Sequence, residues 1–382
     1  MTHGSPGRFM HDVDPANAGN GGKSHLRLAD RLLPIWILAA MAVGIVVGRA
    51  WPGLATVLGK VTIGRTSLPI AVGLFLMMYP PLAKVRYREL GGVTRNHRLL
   101  IASIILNWVV GPALMFALAW LLLPDLPQYR TGVIIIGLAR CIAMVLIWND
   151  LACGDTDAAA VLVALNALFQ IAAFSLLGWF YLHVLPGWLG LPTASANFSF
   201  AAIAISVVVF LGVPLVAGWA SRRYGERIRG RQWYEQRFLP MISPMATWGL
   251  LFTVIMLFAL QGNVITRKPL DVVRIALPLL IYFAIMFAAG FVVGIVLHLG
   301  YGQTTTLAFT GAGNNFELAI AVCVGTFGML SGQALAGTVG PLIEVPALLS
   351  LVYVALRLRR SRWFSHEANR QGRDTDITHS QG

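Results

Sequence analysis

Long apolar segments recur along this chain and constrain its fold more than any other feature. Ten of them, each of roughly 20 residues, are long enough to cross a hydrocarbon layer of ~30 Å as helices. Of the 382 residues, 57% are hydrophobic and 12% are charged, whereas soluble domains carry about 25% charged residues. The short alternating segments of membrane strands do not occur in the sequence. We therefore predict an all-α integral membrane protein.

The loops between these segments predict how the chain is oriented. The predicted spans are 33–50, 67–83, 99–123, 131–151, 158–184, 198–220, 239–261, 274–299, 304–328 and 333–357. With both termini in the cytoplasm, the inner loops hold roughly three times as many lysines and arginines as the outer loops, as the positive-inside rule requires. This rule explains the net charge of +13 better than nucleic-acid binding does. We expect residues 1–32 to be a disordered cytoplasmic segment and 358–382 a cytoplasmic tail.

The two halves of the membrane region are related. Residues 33–184 and 198–357 each contain five spans, and the second set runs opposite to the first. Spans four and nine correspond, since each carries glycine and polar residues near its middle; in spans five and ten, Asn166–Gln170 aligns with Gly340–Glu344. We predict two inverted five-helix repeats. Interrupted spans at matching positions of two repeats are typical of a transporter's binding site.

Span nine contains the segment "TGAGNNFELAIAV". Gly311 and Gly313 allow the backbone to leave the helix, and Asn314 and Asn315 are suited to cap the helix that restarts after them. Glu317 then falls in the first turn, where burial disfavours its charged form and the positive helix end favours it. Such a carboxyl is a candidate for proton coupling. The alternative is a glycine kink packed on a neighbour, with the asparagines bonding between helices.

Span four contains Arg140 and Cys141 side by side. Arg140 is the only lysine or arginine in the interior of a predicted span, and Glu317 and Glu344 are its plausible charge partners. Arg140 and its glutamate partner form a structural ion pair, or Arg140 attracts the substrate, and the two roles are compatible. A helix start and an adjacent cation favour the thiolate of Cys141, the form that binds soft metals and metalloids. The alternative for Cys141 is an inert buried cysteine.

The remaining sequence features are less informative about function. Cys153 lies too far along the chain to share a site with Cys141, and Cys323 lies deeper than Glu317, so we predict no three-thiolate trap. We find no motif for ATP hydrolysis and expect no cofactor. A membrane-embedded enzyme acting on a lipid would need a metal-binding carboxylate cluster. The only candidate set is Asp150, Asp155 and Asp157, which is explained more simply as helix capping.

Four segments together resemble a known family. "LMMYPPLAKVRY", "GLARCIAMVLIWNDLACGD", "FTGAGNNFELAIAV" and "SGQALAGTVGPLIEVPALLSLVYV" are similar to the signature segments of the arsenical-resistance permeases of the Acr-three type. These permeases belong to the bile acid/arsenite/riboflavin transporter superfamily. The resemblance covers nearly the whole membrane region, from about Leu33 to Leu356.

The resemblance implies a fold and a function. The fold has ten spans, with broken helices four and nine crossing, and a core domain against a panel domain, as in sodium/proton antiporters. The activity is extrusion of arsenite, and in some members antimonite, across the cell membrane by proton antiport. In that family the cysteine of "ARCIAM" and the glutamate of "NNFELA" are the functional pair, which correspond to Cys141 and Glu317. We expect Cys141 to be the As(III) thiol ligand and Asn314 and Asn315 to complete the substrate site.

One further alternative stays open at this point. A sodium-coupled importer of an organic anion, like the bile-acid branch of the superfamily, would use Glu317, Gln170 and Asn166 as sodium ligands and leave Cys141 without a role.

Overall fold

The computed structural model describes most of the predicted membrane region. The described residues are 33–60, 62–63, 66–85, 96–142, 144–192, 200–267, 269–360 and 364. The chain divides into two units, residues 1–33 and 34–382. The segment predicted to be disordered, 1–32, and most of the predicted tail lie outside the described residues.

Thirteen helices and one short hairpin make up the described part of the chain. The helices are α1 (Leu33–Ala50), α2 (Leu54–Lys60), α3 (Leu68–Lys84), α4 (His97–Leu122), α5 (Pro127–Leu138), α6 (Met144–Leu151), α7 (Thr156–Trp188), α8 (Phe200–Arg229), α9 (Arg231–Gly262, with helical residues to Arg267), α10 (Pro269–Val296), α11 (Tyr301–Ala312), α12 (Phe316–Phe327) and α13 (Gly332–Arg359). The hairpin pairs β1 (Thr62–Ile63) with β2 (Thr66–Ser67) in antiparallel register, a small addition to the predicted all-helical fold.

Six helices of the described residues are long and apolar enough to cross a membrane: α4, α7, α8, α9, α10 and α13. Shorter apolar helices are formed by α1, α3 and α12. Predicted spans four and nine each consist of two helical pieces, α5 with α6 and α11 with α12. The helical membrane class predicted from the sequence is therefore confirmed.

The basic stretch between predicted spans six and seven is helical, which corrects its assignment as a loop. α8 continues to Arg229 and α9 begins at Arg231, separated only by Gly230 with a φ of 84°. Polar residues continue the helix because they bond to one another along it. Arg222, for example, forms an ion pair with Glu226 one turn later at 2.7 Å. Hydropathy reports where a helix leaves the apolar layer and not where it ends.

Four of the long helices contain a single wider turn of π-helix. These turns cover Leu106–Val110, Phe180–Val184, Val208–Gly212 and Tyr234–Phe238. Each is followed two residues later by a proline, at Pro112, Pro186, Pro214 and Pro240. A proline has no N–H to offer the carbonyl one turn back and its ring crowds that carbonyl, so the preceding turn widens while the helix continues.

The helices pack in two groups. α3 packs against α8 and α9, and α1 also contacts α9. The α3–α9 contact is close because Gly249 faces the backbone at Gly73, where an added Cβ would meet the carbonyl oxygen at 2.8 Å. In the second group, α13 packs against α5, α10 and α12, and α4 packs against α5 and α10. The piece α11 contacts α7 and α10, and the start of α8 links the two groups through α7 and α12. The interrupted helices therefore lie among long helices, where their free backbone groups find partners.

Candidate functional site

The site is built on the two interrupted helices. Between α5 and α6 the backbone becomes extended at Ala139, with φ −85° and ψ 113°. Between α11 and α12 it does so at Gly313, with φ −72° and ψ 143°. Both conformations belong to the β region and end the helical hydrogen-bond pattern. Each break leaves backbone groups that need partners from outside their own helix.

The two breaks lie against one another and supply these partners. The Cys141 N–H donates to the Gly313 carbonyl at 3.4 Å, and the Asn315 N–H donates to the Ala139 carbonyl at 3.0 Å. The result is a short antiparallel bridge between the two breaks. We call this region the crossing. Its backbone is satisfied by mutual pairing, as an interior without water requires.

Two helices begin at the crossing, and each begins with a side chain that accepts a backbone N–H. In α6 the Sγ of Cys141 accepts from the Val145 N–H at 3.3 Å. In α12 the Oδ1 of Asn315 accepts from the Leu318 N–H at 2.9 Å. The N-terminal ends of helices carry partial positive charge, so both starts favour an anionic or electron-rich group.

Two carboxyl groups approach the same point. Glu344 of α13 is 3% exposed and accepts a hydrogen bond from the Asn314 N–H at 3.2 Å. Glu317 lies in the first turn of α12 and is partly exposed. Both carboxyls are within electrostatic range of the Cys141 thiol, which is 2% exposed. The crossing thus places Cys141, Asn314, Asn315 and Glu317, predicted from separate spans, in one region.

Arg140 contacts the ends of the two helices that stop at the crossing, whereas the carboxyl groups lie near the helix that starts there. Its buried guanidinium donates to the Gly137 carbonyl and, at 2.5 Å, to the Tyr282 hydroxyl. That hydroxyl donates in turn to the Gly311 carbonyl at 3.2 Å. Gly137 and Gly311 belong to the last turns of α5 and α11, where helix carbonyls carry partial negative charge. Arg140 therefore neutralises the C-terminal ends of both interrupted helices.

The ion pair predicted between Arg140 and Glu344 or Glu317 is not formed among the residues that the structure describes. The reason is that helix ends supply the counter-charges: carbonyls bind the cation, and a backbone N–H binds Glu344. Sequence reasoning matched formal charges and missed Tyr282. The signal was present, since Tyr282 is the one tyrosine in the apolar helix α10, and a buried phenol hydroxyl needs a partner.

Several buried amide atoms at the crossing make no hydrogen bond to any residue that the structure describes. They are Nε2 of Gln170, Nδ2 of Asn315 and both side-chain polar atoms of Asn314. Gln170 reaches the crossing because its Oε1 accepts the Arg140 N–H at 2.9 Å. Unpaired buried polar atoms are costly and rare. Their clustering marks the crossing as a candidate site for a polar ligand.

The remaining candidates lie elsewhere. Cys153 is exposed, and Cys323 is buried within α12. Across the described ranges, no group of three or more His, Cys, Asp or Glu side chains is placed to hold a metal ion. Asp155 accepts the Ala158 N–H at 3.0 Å and caps α7, which confirms the capping interpretation for this residue.

Comparison with known proteins decides the family. The Sodium Bile acid symporter family matches residues 71–268. The chain is 58% identical to the arsenical-resistance protein Acr3 of Corynebacterium glutamicum, over 88% of this chain and 90% of that protein. The chain belongs to the Acr3 family of arsenical-resistance proteins. A second Acr3 relative, from Alkaliphilus metalliredigens, is 31% identical over 89% of this chain and 95% of its own length.

A third relative is an uncharacterized transporter of Synechocystis sp., which is 34% identical over 94% of this chain and 95% of its own length. The family resemblance carried by the four sequence segments is thereby confirmed. As an Acr3-family protein with six long apolar helices, the chain is a multi-pass membrane transporter.

Proposed function

We propose that this protein is a secondary active transporter that extrudes trivalent arsenic from the cytoplasm in exchange for protons and so confers arsenic resistance. The observation that carries the proposal is the position of the Cys141 sulfur. It lies where two interrupted helices meet, at the start of α6, within electrostatic range of Glu317 and Glu344. A soft ligand beside a titratable carboxyl suits a soft metalloid moved by proton exchange. Two relatives are named arsenical-resistance proteins.

The proposed topology has ten membrane crossings. The six long helices, α1, α3 and the two interrupted helices supply them. We place both termini in the cytoplasm and the protein in the plasma membrane, in agreement with the distribution of Lys and Arg. Inverted repeats at 33–184 and 198–357 account for the matching breaks. The group around α3, α8 and α9 corresponds to a panel domain, and the helices around the crossing correspond to a core domain.

The cargo binds as the neutral trihydroxide of arsenic. The Cys141 thiol displaces one hydroxyl: an As–S bond forms, an As–O bond breaks, and the thiol proton leaves with the hydroxyl as water. Asn314, Asn315 and Glu317 bind the two remaining hydroxyls, a role supported by the unpaired amide atoms. A single sulfur ligand keeps the affinity modest, because water reverses the reaction and returns the proton to sulfur. Antimonite, of the same valence, is proposed as a second substrate.

Proton coupling is assigned to Glu317. The residue is partly exposed at the start of α12, and in this proposal its carboxyl exchanges a proton with water when access changes from one side to the other. Protonation on the outer side weakens its hold on the arsenic hydroxyls and favours release. Deprotonation on the inner side restores the acceptor. Arg140 and Glu344 form the electrostatic frame around the exchange.

The test measures arsenite transport into everted membrane vesicles across which a pH gradient is imposed. We expect arsenite accumulation that collapses when a protonophore dissipates the gradient. Sodium gradients should leave it unchanged, because the sodium-coupled organic-anion alternative is not favoured by the curated relatives. Cys141→Ser should lower accumulation by at least about tenfold, since a hydroxyl is a poor ligand for a soft metalloid.

The matched control is Cys153→Ser, which changes an exposed thiol away from the crossing and should transport normally. Cys141→Ser should also keep its thermal stability, because the serine oxygen can accept the Val145 N–H in place of sulfur. Full transport by Cys141→Ser would refute the thiol-ligand role. Transport that follows sodium and ignores the pH gradient would refute proton antiport.

A further inference from the structure

A polar cavity lies away from the crossing, at the end of the molecule where α5 and α13 begin. It is lined by residues of α4, α5, α7 and α13, is partly open, and has a volume of about 290 Å³. Its polar lining consists of Trp120, Gln128, Arg130, Thr131, Tyr181 and Gln333. Arg130 precedes Arg140 by ten residues, about 15 Å along a helix. The cavity is therefore distinct from the site that we assign to arsenic.

Arg130 gives this cavity a buried positive charge. The residue is 7% exposed, and its guanidinium stacks on the Trp120 ring, with Cζ 3.6 Å from the ring centroid. Nη1 donates to the carbonyls of Leu123 at 3.4 Å and Pro124 at 2.9 Å. Within the described ranges, Nε and Nη2 have no hydrogen-bond partner and Arg130 forms no ion pair. A buried charge without a counter-charge is costly.

Further hydrogen-bond donors near the cavity also favour an anionic ligand. The Trp120 Nε1 is buried and has no partner in the described part of the chain. The Oε1 of Gln128 already accepts the Gly332 N–H at 3.2 Å, which leaves its NH₂ group to donate. α5 begins here without a side-chain cap, so its positive helix end lies at the cavity. The start of α13 is capped by Ser331 and Gln128. Among the described residues, no Asp or Glu lines the cavity.

We propose that this cavity binds a phosphate-type oxyanion, either free or as the headgroup of an anionic phospholipid. The oxyanion accepts from Nε and Nη2 of Arg130, from the Trp120 indole and from the amide of Gln128, and it supplies the negative charge that the lining lacks. The volume leaves room for a phosphate with an attached glycerol. A bound anion joins α4, α7 and α13 to the start of the interrupted helix α5.

The experiment uses the full-length protein in nanodiscs of phosphatidylcholine, titrated with inorganic phosphate by calorimetry at constant ionic strength. Arg130→Gln should weaken phosphate binding by about tenfold or more, because it removes the charge and its hydrogen bonds. The matched control is Arg274→Gln. Arg274 lies at the same end of the molecule, but its charge already pairs with Asp125, so its loss should leave phosphate binding unchanged.

A second arm distinguishes the lipid from the free ion. Native mass spectrometry after extraction from phosphatidylglycerol nanodiscs should show one retained phosphatidylglycerol that Arg130→Gln loses, if the headgroup is the occupant. Binding of either phosphate or phosphatidylglycerol that depends on Arg130 supports the proposal and names the source. Binding of neither, or binding that Arg130→Gln leaves intact, overturns it.

Trp120→Phe covers the case in which Arg130→Gln fails to fold. It keeps the ring under the guanidinium and removes only the indole N–H. We expect binding weakened by about threefold to tenfold, the effect of one hydrogen bond to a charged group. An unchanged affinity in a folded Trp120→Phe protein would exclude the indole as a ligand and, with it, the proposed site.

Discussion

The two breaks at the crossing share a backbone and differ in their side chains. Each ends one helix, pairs with the other break and starts a new helix. Asn315 caps its helix through oxygen, whereas Cys141 caps its helix through sulfur, a weak acceptor of the Val145 N–H. A weakly held cap is easily given up to a guest. The second break is closed by an oxygen cap, whereas the first is closed by the sulfur that, under the proposed function, also binds the cargo.

The charged groups at the crossing are divided between the ends of the helices that stop there and the start of α12. The cation of Arg140 binds the carbonyl ends of the helices that stop at the crossing, whereas Glu344 binds an N–H where α12 starts. Opposite charges are thus separated by the helix ends and do not neutralise one another directly. Substitution of the group that compensates each helix end tests this arrangement.

The largest effect is expected from Arg140→Gln. The change removes charged hydrogen bonds to the Gly137 carbonyl and the Tyr282 hydroxyl, each worth about 1.5–3 kcal/mol. We predict that the free energy of unfolding falls by about 3 kcal/mol or more. The measurement is equilibrium unfolding in mixed micelles. Tyr282→Phe is the control; it keeps the Arg140 charge and the bond to Gly137, loses the charged hydrogen bond to the hydroxyl and should cost about 1.5–3 kcal/mol. Equal stability of wild type and Arg140→Gln would contradict this account of the helix ends.

The next effect compares two glycines of one segment. An added Cβ at Gly313 would lie 3.1 Å from the Cys141 Cβ and 3.6 Å from its sulfur. Gly313→Ala should therefore displace the thiol, cost about 1–3 kcal/mol through overpacking and lower arsenite transport. At Gly311 the added Cβ would meet only the Met286 methyl at 3.6 Å. Because Gly311 is helical, Gly311→Ala should stabilise the protein by up to about 1 kcal/mol.

Transport and unfolding measured on both alanine variants decide the point. If the two variants have the same stability and the same transport rate, the close approach of Gly313 to Cys141 does not matter for function. If Gly313→Ala transports normally although it is destabilised, the thiol tolerates displacement and the geometry of the crossing is less strict than we infer.

Much of the crossing was predictable from residue types. Glycine and asparagine within an apolar span indicate a break and a cap, and the caps formed by Asn315 and Asp155 are where the sequence places them. The approach of Cys141 to Gly313 depends on how two distant breaks pack. It follows from the inverted-repeat hypothesis and from no local pattern.

The partners of Arg140 were not predictable by matching charges. A sequence shows carboxylates as formal charges, whereas the carbonyls of helix ends become charged only through the helices that they terminate. Gly137 therefore gave no signal as an acceptor. The same limit explains the helical Arg222–Arg237 stretch, since hydropathy marks the apolar layer and is silent on helices that extend beyond it.

A smaller effect is expected from the oxygen cap. Asn315→Ala removes the acceptor of the Leu318 N–H and should cost about 1 kcal/mol of unfolding free energy. Asn315→Ser should recover most of that loss, because serine is also a strong N-cap residue. Both are measured by unfolding in mixed micelles. A serine variant as unstable as the alanine variant would show that Asn315 acts through another contact and not as a cap.

The smallest effect concerns how the two interrupted helices are held where they begin. The start of α5 is tied by an ion pair between Arg274 and Asp125, with one N–O distance of 2.7 Å. The start of α11 is held by hydrogen bonds such as that from the Tyr301 hydroxyl to the Ala152 carbonyl at 2.8 Å, and the Arg359 guanidinium lies over the Tyr301 ring. Both members of the Arg274–Asp125 ion pair are exposed, so solvent screening keeps its contribution small. Among the residues that the structure describes, only the first attachment contains an ion pair that acid removes.

Hydrogen exchange as a function of pH measures this difference. The Arg274 guanidinium donates to the carboxylate and holds the pKa of Asp125 below its ordinary value. A lowered folded-state pKa gives stabilisation that is present above the unfolded value of about 3.9 and is lost as the pH falls through the folded value. After correction for the intrinsic exchange rate, protection at Gln128–Thr131 should fall below about pH 4, while protection at the start of α11 should not. Arg274→Gln should remove this pH dependence. Equal acid responses at both helix starts would mean that the ion pair does not hold α5.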